Sequence, residues 1–200
     1  MIEIKKISFA RKDHQIYNEF SASLSTGEAV LLTGPNGCGK STLIQLIGGL
    51  LKPASGEIEI DGVKIAQASA KQQATLRSIA PQRRSFTLAF SVAEVLNFVP
   101  KKLRISDNSR VVEALALQEL LNKKVTELSI GQQERVSLAL ALTQRAEYYL
   151  LDEPFSAQDV ESSGRILELI NELKNEKGVL VISHNQDAIS EQFDRVINLA

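Results

Sequence analysis

A glycine-rich segment between an apolar run and a predicted helix constrains this chain more than any other feature. It fits the pattern G-x-x-x-x-G-K-[ST] and consists of Gly34, Pro35, Asn36, Gly37, Cys38, Gly39, Lys40 and Ser41. The preceding run, Ala29 to Thr33, is nearly all apolar, as expected for a strand buried on both faces, and a helix is predicted from Thr42 to Leu51. A strand, a phosphate-binding loop and a helix in this order predict a nucleotide-binding α/β fold.

The composition of this loop suits the binding of phosphate groups. Its glycines allow backbone N–H groups to point inward, and the helix that follows directs its positive N-terminal end at the same place. We expect Lys40 to reach the β- and γ-phosphates of ATP and Ser41 to ligate Mg²⁺, and we count Thr42 among the nucleotide-binding residues. Cys38 occupies a variable position of the pattern, where small-residue packing is a better explanation than redox chemistry.

A second apolar run ends in two carboxylates. Tyr148 to Leu151 is followed by Asp152 and Glu153, which delivers negative charge to the C-terminal edge of a parallel sheet, where ligands bind. Asp152 is the natural partner of Mg²⁺ at this edge. Glu153 would lie near the γ-phosphate and orient or deprotonate the attacking water. Two acids that only cap a strand would explain the pair taken alone, but not beside a phosphate-binding loop.

The rest of the chain predicts one domain with strands and helices around this core. The β-rich run Ile2 to Phe9, and the alternating run Glu57 to Ile60 before Asp61 and Gly62, predict a small antiparallel unit. Residues 84–128 are more polar and have helical spacing, and we assign about 84–145 to an inserted helical subdomain. The last third predicts a parallel sheet covered by helices, with helices at 131–145, 159–175 and 186–192 and strands at 148–151, 179–183 and 194–199.

The overall composition excludes several classes of protein. The 23 Lys and Arg against 24 Asp and Glu give a formal net charge of −1, so no global basic field exists and no nucleic-acid partner is expected. Cys38 is the single cysteine and cannot form an internal disulfide, which fits a reducing cytoplasm. His14 and His184 lie far apart and do not have the spacing of metal ligands. No apolar run approaches the ~18 residues of a membrane-spanning helix.

Four further segments in a fixed order complete a resemblance that covers essentially the whole chain. They are Gln82, Leu128 to Gln132, Ser156 to Asp159, and His184 after an apolar run. Together with the loop and the two carboxylates, they make the chain resemble the ATP-binding-cassette (ABC) ATPases, whose signature motif, usually written LSGGQ, corresponds to Leu128 to Gln132. The resemblance implies an α/β fold: a P-loop NTPase core with a mostly parallel sheet, a small antiparallel β subdomain and an inserted helical subdomain.

The resemblance also implies roles within the nucleotide site. Gln82 would touch Mg²⁺ and the attacking water and couple the site to a membrane partner. His184 would contact the γ-phosphate and help to hold Glu153 and its water. ATP and Mg²⁺ are the implied cofactors.

A second group of residues would act on the ATP of another subunit. Ser129 followed by Gln132 predicts a capping box, which leaves helix N–H groups free for phosphate. The resemblance implies that Ser129, Gly131 and Gln132 face the nucleotide across a head-to-tail pair of subunits, and that Asp159 approaches the phosphate-binding loop of the other subunit.

Three positions depart from the family pattern. Ile130 replaces a Gly, and a β-branched residue would resist a positive φ if the turn required one. Gln158 replaces a Leu. Where the family often places an aromatic residue on adenine, this chain offers Arg11, whose guanidinium can stack on a base; Tyr17 is a rival for that contact, and solvent exposure of Arg11 is the third alternative.

Three functions compete for a chain of this kind: a transporter motor that hydrolyses ATP, an ABC ATPase of repair, ribosomes or cofactor assembly, and a module that binds nucleotide without turnover. The presence of Lys40, Asp152, Glu153 and His184 argues against a module without turnover. The absence of a coiled-coil insertion or second cassette favours the transporter motor. We therefore expect integral-membrane permease subunits and a second ABC ATPase as partners, at the inner face of the cell membrane. The runs Pro81-Gln82-Arg83 and Phe90-Ser91-Val92 are similar to importers of manganese, zinc and chelated iron.

Overall fold

The computed structural model describes residues 1–12, 14–82, 84–156, 158–184 and 189–199. In chain order the strands are β1 (Ile2–Arg11), β2 (His14–Leu24), β3 (Ala29–Thr33), β4 (Ser55–Ile60), β5 (Val63–Lys64), β6 (Arg77–Ala80), β7 (Tyr148–Asp152), β8 (Gly178–Ile182) and β9 (Arg195–Asn198). The helices are α1 (Lys40–Ile47), α2 (Ala70–Leu76), α3 (Val92–Leu96), α4 (Ser109–Ala114), α5 (Ile130–Leu142) and α6 (Val160–Lys174).

A five-stranded parallel sheet in the order β6-β7-β8-β3-β9 forms the centre of the molecule. Strands β3, β7 and β8 are buried along their whole length. Because successive side chains of a strand point to opposite faces, these strands supply two cores. Leu31, Leu151 and Val181 pack on the face toward α5 and α6, whereas Leu32 and Ile182 pack on the face toward α1 and the second sheet.

A four-stranded antiparallel sheet in the order β2-β1-β4-β5 covers the second core. The predicted hairpin is present, since β4 and β5 are joined by Asp61 and Gly62, which both have positive φ, 50° and 76°. This is the conformation of a two-residue type I′ turn. The parallel sheet beside an antiparallel sheet confirms the predicted fold class.

The helical part of the chain is less regular than its sequence suggests. Residues 84–128 hold only the short helices α3 and α4 and three 3₁₀ turns, at Lys101–Leu103, Gln118–Leu120 and Val125–Glu127. Two residues interrupt the helical spacing there. Pro100 lacks the N–H that a helix needs, and the Asp107 side chain accepts a hydrogen bond from the Ser109 N–H in an Asx turn, which competes with helix. The apolar side chains of α3 and α4 nevertheless belong to the core that α5 covers. The assignment of 84–145 to a separate subdomain stays a prediction.

Several predicted boundaries shift. The helix expected from Thr42 to Leu51 is Lys40–Ile47, since Gly48 and Gly49 end it, and the helix expected at 131–145 ends at Leu142. Strands β2 and β6 and helix α2 were not predicted from the sequence. Most of the helix expected at 186–192 lies outside the described residues, and its described end is a 3₁₀ turn, Ser190–Gln192. None of the described helices is both long and apolar enough to cross a membrane.

A candidate nucleotide-hydrolysing site

The phosphate-binding loop connects the buried end of β3 to the start of α1. Gly34 and Gly39 have φ of 143° and 111°, a region that only glycine enters without strain. A Cβ on Gly34 would also strike the carbonyl of Leu199, and one on Gly39 would strike the Ile16 side chain. The two glycines are therefore required both for the turn and for its close fit against β2 and β9.

Lys40 is the first residue of α1, and its side chain is buried against the loop. Its ammonium donates hydrogen bonds to the carbonyls of Gly34 (2.7 Å) and Pro35 (2.9 Å), and the residue is 6% exposed. No side chain caps α1, and the first N–H groups of a helix have no acceptor within it. Positive charge and free donors thus converge at one point, which is suited to phosphate.

Asp152 ends β7 and lies beside this point. It is 8% exposed, and burial raises the pKa of its carboxyl, while hydrogen bonding to Ser41 and the charge of Lys40 offset part of that rise. One carboxylate oxygen, Oδ1, is buried and accepts no hydrogen bond from any described residue. A buried carboxylate oxygen without a partner beside a hydroxyl group suits a hard cation such as Mg²⁺, which prefers oxygen ligands.

Glu153 follows in a conformation that is rare for its residue type. Its φ is 55°, and its N–H donates to the carbonyl of Ile182 at 3.0 Å. Nε2 of His184 lies 3.0 Å from its Oε1, and the His184 N–H donates to its Oε2 at 3.4 Å. Burial raises the pKa of the Glu153 carboxyl, and the charge of His184 counteracts this rise. Backbone strain and a raised pKa at one residue are typical of functional sites.

These residues line one cavity of about 800 Å³. The residues predicted for the nucleotide site that line it are Arg11, Asn36, Gly37, Gly39, Lys40, Ser41, Thr42, Gln82, Asp152, Glu153 and His184. Gln82 follows β6, the neighbour of β7 in the sheet, and lines the same cavity as Asp152. Gly34, Pro35 and Cys38 form the loop itself, behind this lining.

Of the three alternatives for the base contact, the structure excludes stacking by Tyr17, whereas Arg11 is exposed and also lines the cavity. Arg11 ends β1 and lines the cavity. Tyr17 is 4% exposed, its hydroxyl donates to the carbonyl of Gly39 at 2.9 Å, and its ring packs against Phe20. Tyr17 therefore supports the loop from behind and is not available for stacking. Sequence reasoning also missed His14, which the pairing of β1 with β2 places opposite Arg11 on the cavity wall.

Comparison with known proteins decides the family of this chain. Residues 17–156 match the family model described as ABC transporter. The chain belongs to the ABC transporter family. The match covers more than half of the chain and includes the loop, both carboxylates and the segment from Leu128 to Gln132. As an ABC transporter subunit, this chain is a nucleotide-binding ATPase, which confirms the prediction of a transport motor.

The matches to two named transport proteins cover most of the length of both chains. The manganese transport system ATP-binding protein MntB of Bacillus subtilis (strain 168) is 32% identical, covering 99% of this chain and 82% of the relative. The zinc transport system ATP-binding protein TroB of Treponema pallidum (strain Nichols) is 31% identical, covering 99% and 77%. A solved dimeric structure of a bacterial ABC transporter cassette has a TM-score of 0.84 at 27% identity, covering 100% of this chain and 94% of that one. The same cassette has been solved in a post-hydrolysis state bound to ADP and Pi, with a TM-score of 0.83.

The signature segment of this ABC subunit forms the predicted capping box. Ser129 is the N-cap of α5: its hydroxyl accepts from the Gln132 N–H at 3.3 Å, and its own N–H donates to the Gln132 side chain at 3.0 Å. Ile130 is the first helical residue, is 75% exposed and is not among the residues with positive φ. A β-branched residue is therefore tolerated here, because the turn requires no left-handed conformation.

Asp159 has a local role in the structure. It is the N-cap of α6, and its carboxylate accepts from the Ser162 N–H at 2.7 Å, which lowers its pKa. Gln158 donates to the carbonyl of Ser156 at 3.2 Å, while Ala157 lies outside the described residues. Neither Asp159 nor the residues Ser129, Gly131 and Gln132 line the cavity of their own chain.

Removing the charge of Glu153 should stabilise the fold. Its raised pKa means that the native state binds the proton more tightly than the unfolded chain, so ionisation opposes folding as the pH rises above about 4.3. We predict that Glu153→Gln raises the Tm by about 2–4 °C near pH 8. The gain should shrink on acidification and vanish below about pH 4, where both states of the wild type are protonated.

Thermal unfolding of both proteins between about pH 4 and pH 8 measures this difference. Glu119→Gln, at an exposed position of the Gln118–Leu120 turn, is the matched control and should leave the Tm unchanged. A gain for Glu153→Gln that is equal at every pH would show that burial of its charge is not the cause.

Proposed function

We propose that this chain is the ATP-driven motor of an importer, and that it closes on ATP together with a second cassette beneath a membrane permease. The observation that carries the proposal is the convergence of Lys40, Asp152, Glu153 and His184 on one cavity. They come from three separate segments, the start of α1, the end of β7 and the end of β8, and their combined chemistry suits a phosphorylated ligand.

Binding of the triphosphate would depend on the loop and on Lys40. The ammonium of Lys40 is already aimed by two loop carbonyls, so it loses little side-chain freedom when it meets the β- and γ-phosphates. The amino-terminal N–H groups of α1 would donate to the same phosphates.

Mg²⁺ fits the remaining polar groups at this end of the cavity. Asp152, Ser41 and Gln82 would hold it, and the orphaned Oδ1 of Asp152 is the principal ligand atom. Mg²⁺ is commonly held by one or two protein carboxylates together with substrate phosphates. Bound there, the ion would neutralise charge on the transferred phosphoryl group.

Glu153 would handle the attacking water. Its raised pKa makes it a better proton acceptor than an exposed carboxylate, and its strained backbone directs it into the cavity. His184, 3.0 Å away, would hold the carboxylate in position and contact the γ-phosphate. Gln82 would orient the water from the opposite side, through its place next to Asp152.

A second cassette would complete the site. The Ser129 end of α5 is exposed, carries a satisfied capping box and does not line the cavity of its own chain. Helix N–H groups beyond the cap stay free to bind anions. In a head-to-tail pair, Ser129, Gly131 and Gln132 would bind the γ-phosphate held by the partner, and Asp159 would approach the partner's loop.

ATP should therefore join two copies of the chain when hydrolysis is blocked. We predict that Glu153→Gln sediments as a dimer at saturating ATP with Mg²⁺ and as a monomer with ADP, since ADP lacks the γ-phosphate that bridges both surfaces. Analytical ultracentrifugation with each nucleotide measures the two states.

Two arginine substitutions in the Glu153→Gln background separate the proposed contact from simple loss of a helix cap. Ser129→Arg should abolish the ATP-dependent dimer. Ser69→Arg removes the same kind of capping box from α2 and should leave the dimer intact. A dimer that survives Ser129→Arg, alone and with the permease present, would show that this segment does not act on the second nucleotide.

The permease would dock on exposed apolar side chains in the segment that follows Gln82 in the chain. Phe90 and Phe98 are exposed, with ring centroids 5.0 Å apart, and Leu88 is 63% exposed. Manganese and zinc are the transported ions in the names of two relatives, and a relative from Bacillus subtilis serves petrobactin import. We therefore propose a divalent metal ion or a metal chelate as the first solute class to test, and the inner face of the cell membrane as the place of action.

A further inference from the structure

The hydroxyl group of Tyr17 lies directly behind the phosphate-binding loop. Tyr17 is on β2, is 4% exposed and packs its ring against Phe20. Its hydroxyl donates to the carbonyl of Gly39 at 2.9 Å, and a Cβ on Gly39 would lie 3.0 Å from the same oxygen. Burial raises the pKa of this phenol, so the group stays protonated at neutral pH. Strand β2 therefore holds a fixed donor against one carbonyl of the loop.

The Gly39 carbonyl is held from two sides. Besides Tyr17, the N–H of Leu43 donates to it at 2.9 Å, which is the first hydrogen bond of α1. A backbone carbonyl has two lone pairs, and both are therefore used. Gly39 is the N-cap of α1, has a φ of 111° and has no side chain with which to cap the helix. Because glycine loses much conformational freedom when it is ordered and helix ends fray, the Tyr17 bond restrains a helix start that lacks a capping side chain of its own.

The orientation of this carbonyl decides where the next N–H group points. The peptide bond between Gly39 and Lys40 is trans, and a trans peptide is planar, so the Lys40 N–H points opposite to the Gly39 C=O. This N–H belongs to the first turn of α1, whose donors have no acceptor within the helix. Lys40 also lines the cavity. A bond that fixes the Gly39 carbonyl therefore fixes a free backbone donor at the place where phosphate would bind.

We propose that Tyr17 is a positioning residue for phosphate binding, whose hydroxyl holds the Gly39–Lys40 peptide so that the Lys40 N–H is aimed at the phosphates before the nucleotide arrives. The proposal rests on the nucleotide site proposed above and adds to it a residue that does not line the cavity. A donor that is already ordered loses less freedom when it binds its ligand. The contribution of Tyr17 should therefore be seen in nucleotide affinity and not in the chemical step.

Tyr17→Phe removes this hydrogen bond and keeps the ring. In competition with a fluorescent ATP analogue, the dissociation constants of ATP and ADP should rise about three- to tenfold, the range that one neutral hydrogen bond supplies. AMP lacks the β-phosphate and should bind within about twofold of its wild-type value. In steady-state hydrolysis the KM for ATP should rise with the dissociation constant, whereas kcat should stay within about twofold.

Tyr149→Phe is the matched control. Tyr149 is 2% exposed, its hydroxyl donates to the carbonyl of Gln144 at 2.8 Å, and it does not line the nucleotide cavity. Each variant loses one bond between a buried phenol and a backbone carbonyl, so each should lower the Tm by about 2–4 °C. Only Tyr17→Phe should also weaken the binding of ATP and ADP.

Wild-type affinity for ATP in Tyr17→Phe would overturn the positioning role. Equal weakening in Tyr149→Phe would overturn it as well, because general loss of stability would then be the cause. A loss of AMP affinity as large as that of ATP would show that the effect does not lie at the β- and γ-phosphates. These three results would leave the proposed nucleotide site standing, whereas failure of the wild-type protein to bind ATP would contradict the site itself.

Discussion

Glu153→Gln is expected to lower steady-state ATP turnover by about 10²–10⁴-fold, the contribution that a positioned general base commonly makes. The substitution preserves the size of the side chain and one oxygen atom, so the ATP dissociation constant should stay within about threefold of the wild-type value. Phosphate release and equilibrium binding, measured on the same preparation, test both parts of this prediction.

The control for this experiment is another neutralised carboxylate outside the cavity. Glu119→Gln lies on an exposed turn and should leave turnover unchanged. Wild-type turnover in Glu153→Gln would remove Glu153 from the chemical step, and parallel losses of binding and turnover would indicate a damaged cavity instead.

Lys40→Ala should weaken ATP binding by about 10–100-fold, since hydrogen bonds to charged groups contribute about 1.5–3 kcal/mol. AMP provides the internal comparison, because it lacks the β- and γ-phosphates that Lys40 is proposed to contact. Its affinity should change by less than about threefold. Titration calorimetry with both nucleotides gives the two values.

Lys40 also bonds the loop carbonyls of Gly34 and Pro35, so its loss can disturb the loop as well as the charge. Lys71→Ala on α2 controls for removal of a lysine elsewhere. Equal weakening of ATP and AMP would show that Lys40 maintains the shape of the loop and does not select the terminal phosphates.

Much of the central sheet could be predicted because its strands are local in sequence and buried on both faces. The apolar run Ala29 to Thr33 coincides with β3, and Tyr148 to Leu151 lacks only the last residue of β7. The positions of the loop and of Asp152 follow from these strands, because the carboxyl ends of parallel strands meet at one edge. The capping box at Ser129 could also be predicted, since it depends on two residues of one turn.

Other features depend on contacts between distant segments. No sequence pattern reveals that Tyr17 is buried against Gly39 or that His14 reaches the cavity, because both follow from the pairing of β2 and its packing on the loop. The contact of Glu153 with His184 requires β7 and β8 to be neighbours in the sheet. The helical spacing of apolar residues predicted more helix in residues 84–128 than the structure contains. There, the apolar side chains of short helices and turns pack into the core that a long helix would otherwise cover.

We propose that this cavity hydrolyses ATP through Glu153. The nucleotide that the protein retains after brief incubation with ATP and Mg²⁺, followed by rapid removal of free nucleotide, tests it most directly. We predict that the wild-type protein retains ADP and that Glu153→Gln retains intact ATP. Recovery of ADP from Glu153→Gln, formed at the wild-type rate, would contradict the assignment of the hydrolytic site.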